Sequence, residues 1–129
     1  MDNTIIKKSG INKKGVFANR NFKKGEIVLD WNPKSLDKEE VKKLKSAYRH
    51  YLYQDEKGKF FLMRSPEKYV NHSCDANTKT GDKCDIAVRD IKKGEEITSD
   101  YYKEGSFVTF KCNCGSKNCR GIINEIKIY

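Results

Sequence analysis

The chain begins Met1-Asp2-Asn3-Thr4-Ile5-Ile6-Lys7-Lys8, without an apolar run of signal-peptide length, and nowhere approaches the ~20 apolar residues that a membrane span requires. Export and membrane insertion are therefore not expected, and the sequence reads as a soluble intracellular protein of cytoplasm or nucleus. An even cysteine count is missing too. Five cysteines cannot all pair, which excludes a complete disulfide framework and favours thiolate chemistry in a reducing compartment. Nor is there length for a second domain: 129 residues suit one compact unit burying roughly two-thirds of its unfolded surface. Finally, there is no basic block. The net charge of +9 comes from lysines spread along the whole length, without a recognition helix or an aromatic-and-basic module, so direct nucleic-acid binding is not expected.

What is present reads as mainly β. Residues 5–22 place Gly10 and Gly15 around short apolar pairs such as Val16-Phe17, a strand-turn-strand pattern, and Lys23-Lys24-Gly25 opens the alternating run Glu26-Ile27-Val28-Leu29-Asp30-Trp31. Asn32-Pro33 ends that strand. Asp37 with Glu40 resembles a capping box, and Val41, Leu44, Tyr48 and Tyr51 follow at helical spacing, which predicts one short helix of about three turns. Residues 51–53 and 59–63 flank Asp55-Glu56-Lys57-Gly58 as a β-hairpin, placing Tyr51 and Tyr53 on one face of a strand. Residues 84–88 and 95–99 are two further strands around Lys92-Lys93-Gly94. The segment Arg20-Asn21-Phe22-Lys23-Lys24-Gly25-Glu26 is echoed by Arg89-Asp90-Ile91-Lys92-Lys93-Gly94-Glu95. Two strands entering through the same glycine turn explain this echo better than a duplicated unit, because positive φ costs glycine little.

Two dense stretches carry chemistry. Cys112, Cys114 and Cys119 form a C-x-C-x4-C cluster in a glycine-rich tail too irregular to fold without a cross-link. Thiolates at this density favour one tetrahedral, structural Zn2+, whose fourth ligand comes from Cys74, Cys84, His50 or His72. Cys74 is preferred because it sits in a polar loop, whereas Cys84 opens a strand and suits packing as a small hydrophobe. The tail should disorder without metal. Cys74 belongs to Asn71-His72-Ser73-Cys74, an amide, an imidazole and a thiol within four positions.

Together with Lys14-Gly15-Val16-Phe17-Ala18, Gly94-Glu95-Glu96-Ile97-Thr98-Ser99-Asp100-Tyr101 and the tail cysteines followed by Arg120-Gly121, this stretch resembles a SET-domain protein-lysine methyltransferase with a post-SET zinc tail. The pieces occur in the family's order and span most of the chain. The resemblance implies a SET fold of several small β-sheets with knot-like C-terminal threading near Asn71, divided as residues 1–104 (short insert 32–68) and a zinc-binding tail at 105–129. It implies S-adenosyl-L-methionine as methyl donor, held by Lys14, Gly15, Val16, Phe17, Asn71 and His72. Tyr101 is the implied catalytic tyrosine and a further donor contact, and Cys74 falls on the family's fourth zinc ligand. This chain departs from the pattern at Lys13, where a glycine is common, at Lys68, where arginine is common, and at Ser99, where many relatives carry an aromatic residue.

The chemistry suits these residues. A lysine must be neutral to attack a sulfonium methyl, and deprotonating it at pH 7 costs roughly 4–5 kcal/mol. A narrow apolar channel and the sulfonium charge both disfavour the ammonium, so no strong base is needed. Asn71 offers donor and acceptor groups to a cofactor; His72 suits either the cofactor or the backbone at the crossing. Either Tyr51 or Tyr53 could line the lysine channel; the resemblance favours Tyr51, and Tyr53 is equally suited to core packing. Phe110 either covers the cofactor or simply packs. Ser99 would leave room for methylation beyond the first. The expected function is thus S-adenosyl-L-methionine-dependent lysine methylation of a basic protein, such as a histone or another chromatin protein. The alternative is a non-catalytic zinc-stabilised basic module that binds nucleic acid or lysine-bearing tails. Target choice is expected to reside in residues 32–68, with Asp37, Glu39, Glu40, Asp55 and Glu56 along a docking groove. A homodimer could complete the substrate groove of so small a domain.

Overall fold

The computed structural model of the chain describes residues 3–101 and 110–123. Numbered in chain order, strands β1 (Thr4–Lys8) and β2 (Lys14–Ala18) form an antiparallel hairpin. Strand β10 (Glu96–Ser99) pairs antiparallel with β2 on its other edge, and β7 (Asn71–His72) completes this four-stranded sheet. The last pairing is parallel, with Thr98 opposite Asn71 and Ser99 opposite His72. A second sheet orders β3 (Ile27–Asp30), β9 (Cys84–Ala87) and β8 (Thr78–Thr80). Between the two sheets lies the main core, where Val16, Phe22, Ile91 and Ile97 are no more than 1% exposed. The strands are half-polar because each needs only one face in that core.

The two echoed turns face each other. Phe22 and Ile91 form a reciprocal bridge, each N–H donating to the other's carbonyl at 2.8 Å. Around it several contacts have counterparts: Gly25 N–H donates to Ala87 O and Gly94 N–H to Ala18 O, both at 2.8 Å. Lys24 N–H donates to Asp90 Oδ1 at 2.9 Å, and Lys93 N–H to Asn21 Oδ1 at 2.8 Å. The Glu26 carboxylate accepts from Lys23 N–H, as the Glu95 carboxylate does from Lys92 N–H. Both glycines have positive φ, +93° and +96°. The repetition is therefore more than a shared turn type, since the two copies clasp one another across a local two-fold.

The chain between the copies builds a third sheet from β4 (Lys34–Leu36), β6 (Phe60–Leu62) and β5 (Leu52–Gln54). Helix α1 (Lys38–Lys43) packs its buried Val41 with Leu36, Leu52 and Phe60. The expected capping box is present: Glu40 N–H donates to Asp37 Oδ1 at 2.8 Å, and Asp37 N–H to Glu40 Oε1 at 3.2 Å. The helix is shorter than its spacing predicts. Leu44 turns extended (φ −65°, ψ 127°) while still packing on the same cluster, and Tyr48 and Tyr51 lie instead on a 3₁₀ helix, Ser46–Tyr51. Tyr51 therefore precedes β5 and does not share a strand face with Tyr53.

A short 3₁₀ turn, Glu67–Tyr69, leads into β7. The tail contributes a two-stranded ribbon of β11 (Phe110–Lys111) and β12 (Ile122–Ile123), with Ile123 fully buried beside Cys74 and Cys112. The expected boundary between residues 104 and 105 lies outside the described residues. No helix among the described residues is long and apolar enough to cross a membrane.

Candidate active site and metal centre

A cavity of about 520 Å³ opens where the first sheet meets the tail ribbon. Lys14, Tyr51, Asn71, His72, Tyr101 and Phe110 all line it. Of the other residues singled out from sequence, Val16 is fully buried in the core, Gly15 lies within β2 opposite Lys7 and Phe17 lies beneath the Lys7 ammonium at 4.5 Å. None of these three lines the cavity, nor do Tyr53 and Ser99. Tyr53 packs edge-on against Trp31 with ring centroids 5.1 Å apart. Ser99 is 3% exposed, and its carbonyl accepts the Ser73 N–H at 3.0 Å.

Asn71 anchors one wall. Its Nδ2 lies 2.9 Å from both Lys14 O and Glu96 Oε2, with Ser9 Oγ at 3.2 Å and Asn12 O at 3.4 Å. Its two amide protons are thus committed to protein and its backbone pairs with β10, which leaves Oδ1 for any bound molecule. Glu96 also accepts from Ser9 Oγ at 2.8 Å, so one carboxylate ties the β1–β2 turn to β10. A Cβ at Gly15 would fall 2.4 Å from Glu96 Oε2, and only glycine lets the carboxylate approach. Sequence reasoning missed Ser9 and Glu96 in this role, since they are 87 positions apart.

Tyr101 also lines the cavity. Its hydroxyl donates to Val70 O, and its N–H donates to His72 Nδ1 at 2.9 Å. Tyr101, His72 and Phe110 form a mutual cluster of rings, with centroids 5.5 to 5.9 Å apart. His72 is 4% exposed, and burial lowers its pKa, outweighing the opposite pull of Asp100. Lys13, Lys14, Lys68 and Lys111 supply positive charge around the cavity. Lys68 stands 5.0 Å from the Tyr69 ring centroid and 5.6 Å from that of Tyr51.

The sulfur atoms of Cys74, Cys112, Cys114 and Cys119 all lie within 4.8 Å of one another. Cys74 Sγ and Cys112 Sγ are 3.8 Å apart, which matches the edge of a tetrahedron with Zn–S bonds of about 2.3 Å. Backbone donors already point at the sulfurs: Arg120 N–H reaches Cys74 Sγ at 3.3 Å, and Gly121 N–H reaches Cys119 Sγ at 3.5 Å. Burial pushes the Cys112 thiol up. At Cys114 burial acts in the same direction, but hydrogen bonds from Ser116, the Cys74 backbone and Cys112 bring it down to about 5. Four sulfurs, one already inclined to ionise, fit a structural zinc ion with no open coordination position. Cys84 is buried at the start of β9, outside the cluster, and His50 is exposed.

The tail is strapped down further by Arg120, whose guanidinium makes a bidentate pair with the buried Asp100 carboxylate at 3.0 Å for both contacts. Asn118 Nδ2 donates to Cys74 O at 3.1 Å. The Arg120-Gly121 pair was visible in the tail motif, but its partner could not be read from it.

A family model described as the SET domain matches residues 13–102 of this chain. The chain belongs to the SET-domain family. Histone-lysine N-methyltransferase Set2 of Drosophila melanogaster is 30% identical over 128 residues, covering 84% of this chain and 6% of that protein. The variant-silencing SET domain-containing protein of Plasmodium falciparum is 29% identical over 136 residues, covering 88% of this chain and 5% of that protein. The chain thus spans a small fraction of the length of these curated relatives. A crystal structure of a Plasmodium falciparum protein provisionally assigned as a histone methyltransferase superposes with a TM-score of 0.67 at 25% identity, covering 78% of this chain and 94% of that one. In this SET domain the sulfur cluster fits a post-SET zinc site, and the cavity is within the ~300–1,000 Å³ usual for small-molecule sites.

The acidic residues expected along a docking groove are largely engaged locally. Asp37 and Glu40 cap α1, Asp55 accepts from Lys57 N–H and Lys59 N–H in the hairpin turn, and Glu39 lies 3.6 Å from Lys42.

Proposed function

We propose that this SET domain is a protein-lysine N-methyltransferase that uses S-adenosyl-L-methionine and acts on a histone or a similar chromatin protein. The observation that carries the reading is the cavity itself, which gathers Asn71, His72, Tyr101, Phe110 and Tyr51 into one space. The relatives named above as histone-lysine methyltransferases support the reaction class and suggest the substrate.

When bound, the donor would supply an electrophilic sulfonium methyl group. Lys14, Asn71 Oδ1, the backbone of His72 and Phe110 would hold it. The chain's own task is to present a neutral lysine in line with that methyl. The cationic rim of Lys13, Lys14, Lys68 and Lys111 disfavours a further ammonium, and so lowers part of the roughly 4–5 kcal/mol deprotonation cost. Because the Tyr101 hydroxyl donates its proton to Val70 O, it meets an incoming amine as an acceptor, and so orients the nucleophile without acting as a base. The zinc ion would take no part in the reaction: it would hold the tail against β7. Ser99 lies outside the cavity lining, so the number of methyl groups added is not assigned to it.

Calorimetric titration of metal-replete protein with S-adenosyl-L-methionine should show one binding site, and labelled donor with a lysate of the source cells should label one or a few proteins on lysine. Tyr101→Phe should lower kcat about 100-fold with the donor Kd within a few-fold. No donor binding by metal-replete protein would instead favour a non-catalytic zinc-stabilised module.

A further inference from the structure

The two ring nitrogens of His72 face in opposite directions, and Nδ1 also lies 3.8 Å from Asp100 Oδ1. On one side Nδ1 lies 2.9 Å from the Tyr101 backbone N–H; on the other Nε2 lies 3.3 Å from Cys74 Sγ. A backbone amide can only donate, so Nδ1 must be the unprotonated, accepting nitrogen. The ring of a neutral histidine then carries its proton on Nε2, and that proton points at the sulfur. Cys74 accepts a second hydrogen bond from Arg120 N–H at 3.3 Å, as a metal-bound thiolate with spare lone pairs would. The imidazole is buried and packed against the rings of Tyr101 and Phe110 at 5.5 and 5.7 Å, so it has no room to turn over.

We infer that His72 is a positioning residue that links the metal centre to the reaction site, donating from Nε2 to the metal-bound sulfur of Cys74 and accepting at Nδ1 the backbone amide of Tyr101. The chain of bonds is short: metal ligand, imidazole, tyrosine amide. Hydrogen bonds beyond the ligand shell fix ligand orientation and tune a metal, and their loss typically costs about 10–100-fold in metal affinity or activity. Here the same bond reaches the residue whose hydroxyl faces the lysine, so zinc occupancy would register in the placement of Tyr101. A second strap runs alongside, because Asp100, the neighbour of Tyr101, is held by Arg120 from the tail. This inference rests on the methyltransferase reading for the role of Tyr101, but its hydrogen-bond geometry does not.

The test begins on the unaltered zinc-loaded protein. Long-range proton–nitrogen NMR spectra of nitrogen-labelled histidine should show His72 with Nε2 protonated and Nδ1 bare; the opposite tautomer overturns the inference. Chelation of the zinc should move the amide resonance of Tyr101, and an unmoved resonance overturns it equally. In cobalt-substituted protein, His72→Phe should shift the thiolate-to-metal charge-transfer band to longer wavelength while four thiolates remain bound, and should lower kcat by about 10–100-fold with the donor Kd nearly unchanged. An unshifted band argues against the bond to sulfur. Should His72→Phe fail to fold, the two measurements on unaltered protein still decide. If they succeed while no methyl transfer is found, the linkage stands and the proposed function falls.

Discussion

The two copies of the glycine turn begin alike and lead to different places. After Gly25 the chain runs Glu26-Ile27-Val28-Leu29-Asp30, with Val28 and Leu29 buried in the main core and, among the described residues, β9 as its one strand partner. After Gly94 it runs Glu95-Glu96-Ile97-Thr98-Ser99-Asp100, where Thr98, Ser99 and Asp100 are all buried although polar. The first copy is satisfied by apolar packing. The second needs partners for its polar groups, and finds them in Asn77, which both donates to Glu96 O and accepts from Thr98 N–H, in the parallel strand at Asn71 and His72, and in Arg120. Buried polar groups cost free energy unless paired. One half of the clasp thus contributes stability, while its counterpart is specialised around a site that only the tail completes.

The largest expected effect follows from removing the tail's cross-link. Chelation, or Cys112→Ser, should abolish hydrogen-exchange protection of residues 110–123 and donor binding together, since structural zinc contributes about 10–16 kcal/mol to the folding of small metal-dependent units. Protection in β3 and β9 should survive. Loss of protection throughout would mean that the copies do not differ in their dependence on metal.

Next is Gly15→Ala, which forces a methyl group into Glu96 and loosens Asn71. A destabilisation of about 1–3 kcal/mol is expected from urea unfolding, with donor affinity reduced as well. The third test sets the copies directly against each other. Gly25→Ala and Gly94→Ala meet no atom within 4 Å, and each should cost about 1–2 kcal/mol from the positive φ alone. Equal losses of stability are expected, but only Gly94→Ala should lower methyl transfer, because only β10 leads to Tyr101. Equal losses of activity would remove the functional asymmetry. The smallest effect belongs to Asp37→Ala, which breaks the capping box in the chain between the copies. About 1 kcal/mol of stability should go, with donor binding unchanged by calorimetry.

Much of this was legible in the residues themselves. Glycine turns flanked by alternating apolar residues located β3, β9 and β10; the Asp37–Glu40 spacing located a helix start; and cysteine density picked out the tail sulfurs, with Cys74 preferred over Cys84 for its polar setting. What escaped depended on partners far away in sequence. The two-residue strand β7 has no periodicity to read, and becomes a strand only because β10 lies beside it. Tyr51 followed helical spacing but sits on a 3₁₀ helix, because the chain turns extended at Leu44 to keep packing on Val41. The echo between the two turns was visible, yet its meaning was not, since nothing in either copy announces that it will bond to the other.

The clasp between Phe22 and Ile91 also bears on how the chain tolerates changes of length. Both ends of the segment bearing β4, α1, β5 and β6 are anchored by a framework that this segment does not help to close, and Leu36, Val41, Leu52 and Phe60 form a cluster of their own. Lengthening a loop whose ends are already pinned costs only about 0.6 kcal/mol per doubling. Insertions in the loops that join these elements should accordingly be accommodated at little thermodynamic expense, so that this lobe can change in length while the turns beneath it stay as they are.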